Sequence, residues 1–138
     1  MEHHKGGCLC GAVRYTAHGN LREVIFCHCA QCRRQSGLYF AATAVDQADL
    51  DLTGKAALRW YAASDYAQRG FCGICGSVLF WKPNAASHIA VLAGSLNDPS
   101  VLRAGYHVCT KDKPAFYDIS DDLPQYLHSA PGLLIDAP

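Results

Sequence analysis

FCGICGSVLFW, residues 71–81, decides how the rest of this chain is read. Cys72 and Cys75 bracket a tight turn. Gly73 and Gly76 let the backbone curl so that its amides face the two sulfurs. Val78 to Trp81 then run on as a strand rich in β-branched and aromatic side chains. A thiol pair on a turn between strands is the local form of a zinc knuckle. It needs a second pair to complete a tetrahedron of sulfurs about 2.3 Å from the ion. Cys8 and Cys10 of GGCLCGAVRY (6–15) are the natural second pair. Joining the pairs would clip the start of the chain to its middle and couple metal binding to folding. The competing metal reading is an Fe–S cluster on the same thiolates. The competing metal-free reading is a disulfide framework or plain buried thiols.

The bulk composition supports the metal reading. Half of the 138 residues are hydrophobic, and no linker, charge block or repeat divides them. One domain spanning 1–138 is expected. Twelve Lys and Arg balance twelve Asp and Glu, and the isoelectric point is near 7.0. That balance leaves no basic face for nucleic acid and no polybasic reason to sit on a membrane. The longest apolar stretches, SVLFW (77–81) and IAVLAG (89–94), are too short to span a bilayer. The opening MEHHKGGCLCGAVRY has no apolar run of signal-peptide length. A cytoplasmic protein is expected. Thiols stay reduced there, so eight cysteines call for metal rather than disulfides.

Short β-rich runs dominate the chain. Strands are expected at 12–17, 23–27, 38–45, 57–62, 68–72, 77–81, 88–94 and 104–109. LNDPSVLRA (96–104) reads as a short helix capped by Asn97 or Asp98, with Pro99 in its first turn. DDLPQYL (121–127) reads as one further helical turn. Regular strand spacing without long helices gives an all-β fold.

CHCAQCRRQSG (27–37) is the second thiol cluster. Cys27, Cys29 and Cys32 can hold one ion on a single loop and leave one position open. A closed four-ligand site is structural, and an open position marks a reactive one. Zn²⁺ with three thiolates is already net negative, so its bound water is a poor acid and a fourth thiolate suits it better. The residues therefore point to a thiol substrate held deprotonated near neutral pH. Arg33, Arg34 and Arg14 are candidates to offset that negative charge or to grip substrate carboxylates. Gln35 and Ser36 are candidate polar contacts, against ordinary turn chemistry. His28 lies between two cysteines and is read as pointing away from the ion its neighbours face.

These segments resemble the glutathione-dependent formaldehyde-activating family, within the β-tent, centromere-protein-V-like superfamily. GGCLCGAVRY is similar to its opening C-x-C strand, CHCAQCRRQSG to its three-cysteine loop and FCGICGSVLFW to its second knuckle. VLAGSLNDP and YHVCTKDKPAFYDISDDLPQY resemble its later landmarks. The resemblance implies a β-tent of packed antiparallel sheets. It implies structural zinc on Cys8, Cys10, Cys72 and Cys75, and a labile or catalytic zinc on Cys27, Cys29 and Cys32. It also implies glutathione as the thiol and S-hydroxymethylglutathione as product, a carbon–sulfur lyase/synthase reaction. The chain departs from the family pattern at Asn97, Phe116 and Cys109. Cys109 is either a small buried apolar residue in a strand or a fourth ligand that closes the three-cysteine site.

Two functions compete. The first is an enzyme acting on a glutathione adduct of formaldehyde or a related small electrophile. The second is a zinc-stabilised binding module without chemistry, its second site closed by Cys109 or lacking metal. His107, Asp121 and Asp122 are read as structural ahead of functional, and Tyr39 and Phe40 as core or pocket wall. Exposed strand edges permit a homodimer.

Overall fold

The computed structural model describes residues 2–133. Within them, β1 (His3–Gly7), β2 (Arg14–His18) and β5 (Leu50–Thr53) form a small sheet in the order β1-β2-β5. The large sheet takes β3 (Val24–Cys27), β4 (Phe40–Asp46), β6 (Leu58–Tyr61), β7 (Ala67–Cys72), β8 (Val78–Pro83), β9 (His88–Leu92) and β10 (Ala104–Val108). Its order is β10-β3-β4-β9-β8-β7-β6. Every pairing is antiparallel except β10 with β3, which is parallel. The fold is all-β, as the strand spacing predicts, and has the packed sheets that the family resemblance implies, with one parallel pairing at its edge.

The large sheet buries both faces. On one side Tyr15 and Ala17 of β2 pack with Leu58, Phe80, Ile89 and Val91. On the other, Ile25, Phe40, Ala42, Trp81, Ala90 and Val108 surround three of the cysteines. Period-two alternation along β8 and β9 sorts these residues: Phe80 and Val91 face one layer, Trp81 and Ala90 the other. An irregularity in the β7–β8 ladder pairs Phe71 with Val78 but Gly70 with Phe80, so Leu79 is the extra residue of a bulge. Leu79 and Phe80 therefore both enter the first layer.

Eight expected strands are present with ends shifted by one or two residues, but three readings need correction. β1 and β5 were not expected. The segment 96–104 is not a helix: it holds one 3₁₀ turn, Pro99–Val101, with Asp98 accepting from the Ser100 amide at 3.2 Å. DDLPQYL (121–127) forms no helical turn. It lies along β10, where the Tyr126 amide donates to His107 and the His107 amide to Pro124, at 2.9 Å each. That strip covers the outer edge of β10, so this edge is not open to another chain. The α-helix of the described residues, α1 (Ala30–Ser36), falls instead inside the three-cysteine segment.

Gly54, just past β5, packs against the turn between β1 and β2. Its φ is +78°, and a Cβ there would lie 1.8 Å from the Ala12 carbonyl oxygen, a backbone atom that cannot swing aside. Gly19 has a similar φ of +84° but open space around it. Gly19→Ala should cost about 1 kcal/mol, the left-handed strain alone. Gly54→Ala should cost about 3 kcal/mol or more, because the β2 turn must also move. Urea unfolding of the two variants measures the difference.

Candidate metal centre

The first cluster is built by two hairpins from different sheets. Cys8 and Cys10 sit in the turn between β1 and β2, where the Cys8 amide donates to Val13 O at 3.0 Å. Cys72 ends β7 and Cys75 follows in the turn to β8, closed by the Gly76 amide on Cys72 O at 2.8 Å. Gly76 takes φ +79°, the curl that the sequence required of it. Backbone amides converge on the sulfurs: Val13 N on Cys8 Sγ at 3.2 Å, and Ile74 N on Cys72 Sγ at 3.4 Å. Cys8 Sγ lies 3.7 Å from Cys10 Sγ, and Cys10 Sγ lies 3.8 Å from Cys72 Sγ. A tetrahedral ion with Zn–S near 2.3 Å sets its sulfurs about 3.8 Å apart. The four donors therefore fit a closed Zn(Cys)₄ site. All eight cysteines are free thiols, which disfavours the disulfide framework.

Without an ion, four adjacent thiols share few charges. The Cys75 thiol is pulled down to about 5, chiefly by the Ser77 hydroxyl, which lies 3.2 Å from its sulfur. Cys10 is pushed up to about 11: an Ala12 amide lowers it, but burial and the neighbouring thiols outweigh that. Metal binding must displace the remaining protons, so affinity falls with pH.

The second cluster stands on β3 and α1. Cys27 is the last residue of β3. Cys29 is the N-cap of α1, with φ −67° and ψ 159°, and its sulfur accepts from the Cys32 amide at 3.3 Å. Cys32 lies in the first helical turn. The three sulfurs lie within 4.8 Å of one another. Cys29 is the thiolate of the set, drawn down to about 2 first by the Cys27 thiol and then by Cys32. Cys32 is pushed up to about 12: Cys27 lowers it, while Cys29 and burial raise it by more. Cys27 is pushed up by Cys109 first, then by Cys29 and Cys32. A soft tri-thiolate of this kind suits zinc, as the closed set does.

Arg69 completes the site and was not foreseen. It points from β7 to the sulfurs and is only 2 % exposed. Its Nη2 lies 3.4 Å from Cys32 Sγ, its Nε donates to Gln31 Oε1 at 3.0 Å and its Nη1 to Gln35 Oε1 at 2.9 Å. The guanidinium also stacks over Phe40, 5.2 Å from the ring centre. Gln35 is thus occupied in holding Arg69. Ser36 Oγ donates to Cys32 O at 2.7 Å and to Tyr39 O at 3.1 Å, within its own turn. Arg33 is half-buried and Arg34 exposed on α1, and Arg14 is exposed on β2 beside the other cluster. The signal for Arg69 lay in β7 itself. A charged residue on the inward face, two positions from Ala67 and in a strand ending in Cys, must have an anionic partner.

Behind the thiols runs a polar chain, buried at His28 and His107 and reaching the surface at Asp121. His28, 1 % exposed, points away from the sulfurs. Its Nδ1 meets Tyr117 Oη at 2.8 Å and its Nε2 meets His107 Nδ1 at 2.8 Å. His107 Nε2 reaches the Asp121 carboxylate at 3.0 Å. Burial first, then His107, hold the His28 imidazole down near 4. The chain pins the loop between Cys27 and Cys29 to β10. Asp122 is exposed and Tyr39 half-buried, its ring packed on Phe26 and His28. Cys109 follows β10 rather than lying in it, buried, with φ +56°. It adjoins Cys27 and faces the same cavity but does not join the mutual set of three sulfurs.

The sequence signature of the family described as "Glutathione-dependent formaldehyde-activating enzyme" matches residues 3–112. The chain belongs to that family. It is 29% identical, over 126 residues and 88% of each chain, to an uncharacterized lyase of Schizosaccharomyces pombe. It superposes on the crystal structure of a Rhodobacter sphaeroides protein with a TM-score of 0.57 and 26% identity, covering 67% of this chain and 87% of that one. No helix among the described residues is long and apolar enough to cross a membrane.

Two predictions follow from the two clusters. Metal analysis should find two zinc per chain. Cys75→Ser should lose one and lower Tm by about 10 °C or more, because the closed set joins the sheets. Cys32→Ser should lose one with a smaller fall. Arg69→Met should weaken zinc at the second cluster by about 10- to 100-fold in chelator competition, the worth of a hydrogen bond to a charged sulfur. Arg69→Lys should not restore it, since an ammonium cannot span both glutamines and the sulfur.

Proposed function

We propose that this protein is a carbon–sulfur lyase/synthase acting on a glutathione adduct of formaldehyde or a related small electrophile. One observation carries the reading: a closed set of four sulfurs is accompanied by a set of three that faces a cavity. A zinc ion held by Cys27, Cys29 and Cys32 would keep an incoming thiol deprotonated near neutral pH.

The chain's own groups fit the rest of the task. Arg69 offsets the negative charge of the thiolates from behind. The Cys32 amide and the polar chain through His28 fix the sulfurs in place. Arg22 stands on the cavity wall, where a guanidinium can donate to an oxygen that gains charge. Arg33 and Arg34, close along α1 from Cys29 and Cys32, are available to the carboxylates of glutathione. In the forward direction the thiolate sulfur adds to the carbonyl carbon. The carbon–oxygen π pair moves to oxygen, which takes a proton. The reverse step returns thiol and aldehyde. Free thiols and a glutathione partner suit a reducing compartment such as the cytoplasm.

The binding-module alternative draws on Cys109, which is placed beside Cys27 and could close the site. Native mass spectra separate the two. Wild-type protein should carry two zinc and add one glutathione, and Cys29→Ser should retain one zinc and lose the adduct. Rates of S-hydroxymethylglutathione formation above the uncatalysed reaction should vanish in the same variant. Two zinc with no response to glutathione would sink the enzymatic reading.

A further inference from the structure

The outer face of the small sheet carries a cluster that neither sulfur site uses. Alternation along the strands sorts its residues: Tyr15 and Ala17 of β2 turn inward, so Thr16 and His18 turn outward. His3 of β1 lies directly opposite His18, and Thr16 lies opposite Asp51 of β5. His3, His18 and Asp51 therefore form one row across three strands. Their contacts are tight. His3 Nδ1 lies 2.7 Å from His18 Nδ1, with the rings edge to face and their centres 4.8 Å apart. His18 Nε2 lies 2.7 Å from Asp51 Oδ2. His4 pairs with Ala17 on the opposite face, where its Nε2 lies 3.5 Å from Glu2 Oε2, and it takes no part.

These contacts set the tautomers. The Asp51 carboxylate only accepts, so His18 donates from Nε2 and keeps a lone pair on Nδ1. The hydrogen between the two Nδ1 atoms then belongs to His3. A carboxylate behind one ring nitrogen, with the other nitrogen left for a cation, is the arrangement that orients histidine ligands in metal sites. We infer that His3 and His18 bind one divalent transition-metal ion through their Nδ1 atoms, with Asp51 orienting His18 from behind. On binding, the His3 ring carries its hydrogen on Nε2 instead, and water completes the coordination. The His18 side chain is 24 % exposed and that of Asp51 73 %, so solvent reaches the site and the rings have room to turn toward an ion. The spacing favours copper. Cis nitrogens about 2.0 Å from a tetragonal ion lie roughly 2.8 Å apart, whereas a tetrahedral zinc spreads them to about 3.3 Å. Nitrogen ligands also hold Cu²⁺ more tightly than Ni²⁺ or Zn²⁺. The Cys8 sulfur is out of reach, since the extended strand from His3 puts it about 16 Å away.

The test titrates Cu²⁺ at micromolar concentration into the zinc-loaded protein. Metal analysis should find one copper per chain with the zinc retained. Electron paramagnetic resonance should show nitrogen splitting from two imidazoles. His3→Ala and His18→Ala should each lose that splitting and the copper, while keeping the zinc of the parent. Asp51→Asn should keep the two-nitrogen spectrum and weaken the affinity about 10-fold, the lower end for a carboxylate behind a histidine ligand because Asp51 is exposed. Copper that ejects zinc and shows sulfur-to-copper absorption, equally in parent and variants, would overturn the site. So would a two-nitrogen spectrum that survives His18→Ala, or no copper bound at all. No readout involves glutathione, so the site stands or falls apart from the proposed function.

Discussion

Four sulfurs from two sheets converge on one point, and the architecture depends on that convergence. Without an ion the four thiols keep most of their protons, because thiolates crowded within 4 Å would repel one another. A metal reverses the sign and turns repulsion into a cross-link. Cys10 and Cys72, separated by 62 positions, then become neighbours. Beyond the metal, the small sheet is held over the large one by Tyr15, whose hydroxyl lies 2.7 Å from Ser95 Oγ, and by the bridge from Gly6 to Leu96. The clip sits at the surface, with Cys10 exposed, and this suits a part that holds structure rather than one that reacts.

The three-cysteine set shows the opposite design. Cys29 and Cys32 are buried, and the charge that compensates them comes from within the protein. Arg69 is a costly residue to bury, and only an anionic partner with a full set of acceptors makes it tolerable. Gln31 and Gln35 supply those acceptors on one helix with Cys32. The helix therefore carries both a sulfur of the set and the seat for the cation. On the other side of the same residues, His28, His107, Asp121 and Tyr117 satisfy one another in series. The sulfurs are thus held from two directions, with the cavity left as the third.

Much of this was readable in the sequence, for physical reasons that also explain what was not. Strands such as VLFW and HIAVL carry their β preference in their side chains. HHKGG and LDLT do not: β1 and β5 lie in the small sheet, largely exposed, and are made strands by the ladders they join. The short helix α1 was hidden because three cysteines read as a turn, although Cys29 itself caps it. The 96–104 segment had a good cap and a proline in place, yet the chain must extend again to reach β10, and one turn is all that fits. Cysteine spacing marked out both clusters. The local pattern of β7 marks Arg69 as an inward charge but not its partner: the Arg69–Cys32 and His28–His107 contacts are tertiary, joining residues 37 and 79 positions apart.

The parallel pairing of β10 with β3 carries a consequence for how the molecule is made. Antiparallel neighbours can zip from a turn, whereas a parallel partner must return from far along the chain. In a chain emerging from the ribosome, β3 and its cysteines appear early and β10 late. The edge of β3 therefore waits unpaired while the rest of the sheet assembles. Contacts of such long range close slowly. The thiols of Cys27, Cys29 and Cys32 are then among the last to be enclosed, so the nascent chain presents them to passing metals and oxidants before the finished protein hides them.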